Sequence, residues 1–273
     1  MIRCLPRLFR PRLALVNGIA AAGGYILFPT AVETVRLVAV VAGVTLLAAG
    51  CSALNQFMER DLDLLMARTC RRPLPQKDLT PGVVMAIGLV TLLAGFLVLS
   101  CFGGFVSTLL GAVAVCWYLG IYTPLKRRTP LALPLGAVCG ALPPVIGWCV
   151  AGGSPADFRI VLLAGLLYLW QIPHFWLFQR RHGDDYRKAG IPLFPMESRG
   201  SVALHGFRIW GVALVAAVML LPALGIVGPR VAILYAVVSL PLLFISTLRG
   251  EKTFFSYLNF YPVLMTLILL VQK

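Results

Sequence analysis

The sequence predicts an all-α fold: a polytopic transmembrane helical bundle of about nine spans, forming one membrane-embedded domain over residues 1–273. Three observations predict it. Of the 273 residues, 59% are hydrophobic and only 12% are charged, about half the charged share of an ordinary soluble domain. The apolar residues gather into runs of roughly 18 to 24, each long enough to cross a hydrocarbon core of about 30 Å, and few show the polar face of a soluble helix. With the N-terminus placed inside, 20 of the 24 Lys and Arg residues fall on inner connections, and only Arg36, Arg159, Arg230 and Lys273 fall outside. That asymmetry is the positive-inside pattern. It orients the chain with its N-terminus in the cytoplasm.

Taken in order, the spans cover 13–31, 36–57, 82–101, 103–122, 131–151, 159–178, 204–226, 229–247 and 254–271. The N-terminal arginines before an apolar run resemble a signal peptide, but eight further runs make this an uncleaved first span. Only Gly103 and Gly104 separate the third and fourth spans, so a tight turn must join them. The small residues from Gly136 to Gly147 allow close helix packing. Pro143 and Pro144 are expected to break that helix, which a membrane tolerates where backbone lines a cavity. The net charge of +14 would suggest nucleic acid in a soluble protein; here topology absorbs most of it, and no nucleic-acid partner is expected. The seven cysteines contain no CxxC pair, so neither a disulfide framework nor a zinc site is read.

Chemistry should sit on the cytoplasmic side. The two longest inner connections, 58–81 and 179–203, hold seven of the ten acidic residues. At the end of the second span, Asn55, Glu59 and Asp63 recur every four residues. Four-residue spacing puts them on one helical face, with Asp61 off it. A solvated helix end is the plain alternative. Yet two carboxylates and an amide leaving a hydrophobic helix make a costly arrangement, and oxygens of this kind suit Mg²⁺ with substrate phosphates completing its shell. Asp184 and Asp185 lie in the other acidic connection, on the same side, so a metal-bridged pyrophosphate could sit between the clusters. Gln171 and His174 share a face of the sixth span, where His174 is either a packing residue or a ligand contact. Tyr122, Lys126 and Arg127 stand on the same cytoplasmic face. They mark topology, or they grip a pyrophosphate.

Together these stretches resemble the UbiA superfamily of intramembrane aromatic prenyltransferases, and within it the heme O synthase branch. The family motif NxxxDxxxD with a following RTxxRPL segment is matched by Asn55, Glu59, Asp63 and Arg68-Thr69-Cys70-Arg71-Arg72-Pro73-Leu74. Glu59 stands where the family has Asp. The YTxxLKRRTP stretch is matched by Tyr122 to Pro130 and the GALPPxIGW stretch by Gly140 to Trp148. The heme-branch stretches WQPPHFW and DYxxAGIPxxP are matched by Trp170 to Trp176, with Ile172 for the first Pro, and by Asp185 to Pro195. The resemblance implies a helical bundle around a central cavity that opens near the cytoplasmic face, and a transferase acting on farnesyl pyrophosphate and heme b. It implies Mg²⁺ held by Asn55, Glu59, Asp63, Asp184 and Asp185. Lys126 would stabilise the leaving group. Arg68, Arg72, Tyr122, Arg127, Gln171, His174 and Tyr186 would contact substrates. The lipid bilayer is the medium, and a heme A synthase or terminal oxidase assembly factor is the implied partner. Two alternatives stay open: a quinone or other aromatic precursor as acceptor, and a transporter or assembly factor that binds heme without changing it.

Overall fold

The computed structural model describes residues 4–193, 201–248 and 251–272, and these are helical with no strand among them. A short helix α1 (Leu5–Phe9) meets α2 (Pro11–Leu27) at Arg10, which has a left-handed backbone (φ 49°). Pro11 begins α2, where its missing N–H costs nothing. Next comes α3 (Thr34–Met58), then α4 (Arg60–Leu65).

The helical run α5 (Pro81–Cys116) contains the expected turn. Gly104 has φ 74°, inside the region that favours glycine. A Cβ on Gly111 would lie 3.2 Å from the Leu99 side chain, whereas one straight helix would hold those residues about 18 Å apart. The run is therefore a hairpin with limbs 81–103 and 105–116. Its second limb continues through a π-helical turn (Trp117–Tyr122) into α6 (Thr123–Leu125). The remaining helices are α7 (Ala132–Val150), α8 (Phe158–Arg181), α9 (Gly183–Lys188), α10 (Ser201–Ala223), α11 (Pro229–Leu248) and α12 (Glu251–Leu269). Each of the nine apolar ranges overlaps a helix, with 28–31 and 224–226 falling past the ends of α2 and α10. Among the described residues, four helical runs meet both the length and the hydropathy needed to cross a membrane, so the count of nine crossings stays an expectation of the sequence.

The Pro143–Pro144 expectation is corrected, for α7 runs unbroken through both. The missing proline N–H groups leave the carbonyls of Cys139 and Gly140 without their helical donors. Both residues line the central cavity, where such backbone is tolerated.

Helix α2 packs on α3, α7 and α12, α5 lies along α3, and α10 packs on α8 and α11. One apolar core surrounds Trp148, Tyr235 and Tyr261, and a second fills the junction of α2, α3, α5 and α7. The outward faces of α5 expose Leu89, Val90, Leu93, Leu97 and Phe105, a surface suited to lipid rather than water.

The α2–α7 contact has almost no tolerance. A Cβ on Gly24 would sit 1.8 Å from the Pro144 carbonyl oxygen, and one on Gly147 would sit 1.8 Å from that of Ala21. Small residues permit this approach between membrane helices. Both clashes are with backbone, so relief requires the helices to separate. Gly147→Ala is expected to cost about 3 kcal/mol, the upper end for an overpacked core. A thermal melt of the purified variant in detergent checks it, and a midpoint equal to the wild type's would contradict the contact.

Candidate active site

A cavity of about 310 Å³ opens among α2, α3, the π-helical turn, α7 and α8. Its walls are apolar toward Val44, Leu47 and Ile146, and its polar end holds Asn55, Glu59, Asp63, Arg68, Arg72 and Lys126.

The four-residue ladder survives a change of helix. Glu59 leaves the α-helical region (φ −105°, ψ 17°) between α3 and α4. The Glu59 N–H still donates to Asn55 O at 2.9 Å, and the Asp63 N–H donates to Glu59 O at 2.9 Å. Unbroken four-residue spacing holds the three side chains together, and all are buried. Each is pinned by a different segment. Asn55 Nδ2 donates to Thr123 Oγ1 at 3.2 Å, and that hydroxyl donates to Tyr118 O at 2.8 Å. Lys126 Nζ lies 2.9 Å from Glu59 Oε2. Arg72 Nη1 reaches both oxygens of Asp63, at 2.8 and 2.7 Å. Burial pushes the Asp63 carboxyl up, and the Arg72 guanidinium opposes that rise. Asp61, off the face, pairs instead with Arg127 at 2.8 Å, which lowers its carboxyl pKa.

This constellation fits a hard cation. Glu59 Oε1 is buried without a hydrogen-bond partner, an arrangement that costs energy unless a ligand satisfies it. Two carboxylates and an amide oxygen match the protein share of a Mg²⁺ shell completed by phosphate and water. Among the described residues no three His, Cys, Asp or Glu side chains converge as a metal cage.

Three of the expected site residues lie outside the cavity. Asp184 is 85% exposed and pairs with Arg187, which lowers its pKa; it stands outside the cavity because α9 turns that face to solvent. Arg127 is held outside the cavity by its bidentate pair with Asp61. Asp185 does not line the cavity either. Its Oδ1 accepts the Ala67 N–H at 3.1 Å and its Oδ2 accepts the Arg68 N–H at 3.2 Å. Tyr122, Gln171, His174 and Tyr186 do line it. The matched stretch ending at Pro195 runs past Leu193, and 194–200 lie outside the described residues.

On α8, Gln171 Nε2 donates to Ala137 O at 3.1 Å and Leu167 O at 3.2 Å. Gly140 makes room for it, since a Cβ there would lie 2.3 Å from that nitrogen. The His174 ring stacks between Trp170 (centroids 4.9 Å apart) and Phe255 (5.3 Å). Its buried Nδ1 has no partner. Arg181 caps the far side of Phe255 at 4.7 Å.

Several cavity residues went unread in the sequence, among them Asn17, Ser52, Tyr118 and one cation. Arg10, counted there as a topological charge, lines the polar end, and burial lowers its pKa. Its left-handed junction carries it inward, and the only local signal was the Pro11 helix start immediately after it.

The model of the UbiA prenyltransferase family matches residues 15–260. A protoheme IX farnesyltransferase of Geobacter sulfurreducens is 59% identical over 266 residues, covering 97% of each chain. The apo structure of a UbiA homolog from Aeropyrum pernix superposes with a TM-score of 0.75 at 18% identity, covering 96% of this chain and 97% of the other. That of a UbiA homolog from Archaeoglobus fulgidus bound to GPP and Mg²⁺ does so with a TM-score of 0.68 at 15% identity, covering 98% of each. The chain is an integral membrane protein and belongs to the UbiA prenyltransferase family.

Proposed function

We propose that this chain transfers the farnesyl group of farnesyl pyrophosphate to a vinyl group of heme b, with addition of water, to give heme O. Its main structural support is Glu59, which places an unpartnered buried oxygen beside Lys126 and Asp63 at the head of an apolar cavity. Its main support among relatives is the 59% identity to a protein named for this reaction.

Asn55, Glu59 and Asp63 would hold Mg²⁺, which when bound neutralises charge growing on the leaving pyrophosphate. Lys126 and Arg72 already stand against the same carboxylates, so an incoming phosphate oxygen meets both cation types in one place. Arg68 adds a guanidinium whose buried Nε has no partner and whose plane rests on Phe178 at 5.2 Å. Arg10 is the fourth cation at this end. Cleavage of the carbon–oxygen bond sends the electron pair to pyrophosphate and leaves an allylic cation. Apolar walls at Val44, Leu47 and Ile146 keep water from that cation. The terminal vinyl carbon of heme then forms the new carbon–carbon bond. Water adds at the neighbouring carbon and loses a proton, giving the hydroxyl. His174, stacked on both ring faces, offers only its edge to heme. That edge would bind the iron or a propionate.

The inner positive charge of the sequence supports a pyrophosphate end at the cytoplasmic interface, with the N-terminus inside. A membrane enzyme that carries heme O toward a terminal oxidase is the partner this product requires.

The test incubates detergent-purified protein with heme b, farnesyl pyrophosphate and Mg²⁺, and identifies porphyrins by mass spectrometry. A product with the mass of heme O, absent under chelation, is expected. Pyrophosphate release only with phenolic acceptors would transfer the chain to the quinone branch. No release with any acceptor would leave a heme-binding protein without this chemistry.

A further inference from the structure

We infer that Asp185 is a positioning residue: its carboxylate clasps the backbone of the turn carrying Arg68 and Arg72, and so sets where the pyrophosphate-binding cations stand. The inference rests on the pyrophosphate site proposed above.

The turn begins at Met66, whose carbonyl accepts the Thr69 N–H at 3.0 Å and the Cys70 N–H at 2.9 Å. From inside the site, Thr69 Oγ1 donates to Asp63 O at 3.1 Å. From outside, Asp185 receives the next two free donors, Ala67 N–H on Oδ1 and Arg68 N–H on Oδ2. A carboxylate accepting two adjacent backbone N–H groups is a strong, orienting contact. It bridges residues more than a hundred positions apart in sequence, so it ties one inner connection to the other. Apolar packing completes the tie: Leu62 and Met66 bury against Tyr186, Ala189 and Ile191.

The consequence reaches the cavity without Asp185 entering it. Arg68 follows one clasped N–H directly. Arg72 is held four residues on, its N–H donating to Thr69 O at 2.9 Å. If the turn drifts, Arg68 leaves Phe178 and Arg72 loses its two-oxygen grip on Asp63. Asp184 cannot replace its neighbour, because it faces solvent with Arg187. Helix α9 therefore contributes to substrate binding through the first loop.

The test uses full-length protein in detergent and three variants: Asp185→Asn, Ala67→Pro and, as a metal-ligand control, Glu59→Gln. Ala67→Pro deletes one clasped donor while leaving every carboxylate in place. Position 67 follows an extended Met66 (φ −103°, ψ 126°) and is the second residue of a turn, both of which suit proline. Radiolabelled farnesyl pyrophosphate binding is measured at several Mg²⁺ concentrations, with no acceptor present. Hydrogen exchange is followed at residues 66–72. In Asp185→Asn and Ala67→Pro, the Kd for farnesyl pyrophosphate is expected to rise about tenfold (about 1.4 kcal/mol). Half-saturating Mg²⁺ should stay within twofold, and exchange in the turn should accelerate. Glu59→Gln should instead shift the Mg²⁺ dependence. An Mg²⁺ shift for Asp185→Asn like that of Glu59→Gln, with normal binding in Ala67→Pro, would overturn the clasp and make Asp185 a ligand. Unprotected Ala67 and Arg68 amides in the wild type would also overturn it, whatever the variants do. Wild-type protein that binds no farnesyl pyrophosphate, yet protects those amides, would overturn the proposed function and leave the clasp standing.

Discussion

Asp63→Asn is expected to lower turnover with farnesyl pyrophosphate and heme b by at least about a thousandfold, or roughly 4 kcal/mol of barrier. Asp63 is fully buried and gives both oxygens to Arg72. An amide at that position presents one oxygen, puts an NH₂ against the guanidinium and removes one of two charges from the cation site. A metal ion contributes several kcal/mol by stabilising charge in the transition state, and its affinity falls with ligand charge. The same change also leaves Arg72 as an unpaired, nearly buried cation, which by itself destabilises by about 3–5 kcal/mol. Glu59→Gln repeats the comparison at the neighbouring acid. It leaves Oε1 as it is, an oxygen without a hydrogen-bond partner, but takes the charge from Oε2, the partner of the nearly buried Lys126. Its melt should therefore fall as well, and its turnover about a hundredfold. Pyrophosphate release beside a thermal melt decides the matter. A folded Asp63→Asn protein turning over within tenfold of wild type would remove this residue from metal binding.

The acid ladder was legible because four-residue spacing is a helical signal, and that spacing outlasts the break at Glu59. The Gly103–Gly104 turn was legible for a similar local reason: only glycine suits the backbone that Gly104 adopts. Direction was harder to read than position. Asp184 and Asp185 are neighbours in sequence, yet one faces solvent and the other holds a loop more than a hundred residues away. Arg127 and Lys126 are neighbours too, and Arg127 is drawn off by Asp61 while Lys126 meets Glu59. Charge patterning marks which side of the membrane such residues occupy. The choice of partner is made by tertiary packing, which no local window contains. Arg10 fell into the same gap, because its cavity position depends on α1 folding back beside α3. There Ser52 Oγ donates to Leu8 O at 3.1 Å and Gln56 Nε2 donates to the same carbonyl at 2.7 Å. The prolines of α7 misled for the opposite reason. Local rules read them as a break, but here the carbonyls they free belong to cavity wall, and the helix continues.

His174→Phe is expected to cut heme prenylation by at least about a hundredfold, near 2.7 kcal/mol, while leaving farnesyl pyrophosphate binding unchanged. Phenylalanine preserves what packing requires. The ring can still stack between Trp170 and Phe255, and the Trp170 indole can still donate to Leu258 O at 2.8 Å. What it removes is the pair of ring nitrogens, including the buried Nδ1 that has no protein partner. If His174 only packs, the substitution fills the same slot and relieves an unsatisfied nitrogen, so stability holds or rises and turnover is unaffected. If His174 meets heme, the loss is confined to the acceptor. The heme absorption band should no longer shift when heme is titrated into the variant, and KM for heme should rise. The pyrophosphate end is carried by Asn55, Glu59, Asp63, Arg68, Arg72 and Lys126, none of them a stacking partner of His174, so its affinity is the internal control. Parallel losses of heme and farnesyl pyrophosphate binding would mean that the stack supports the whole cavity. Loss of the heme signal alone would separate acceptor recognition from pyrophosphate chemistry at the level of a single side chain.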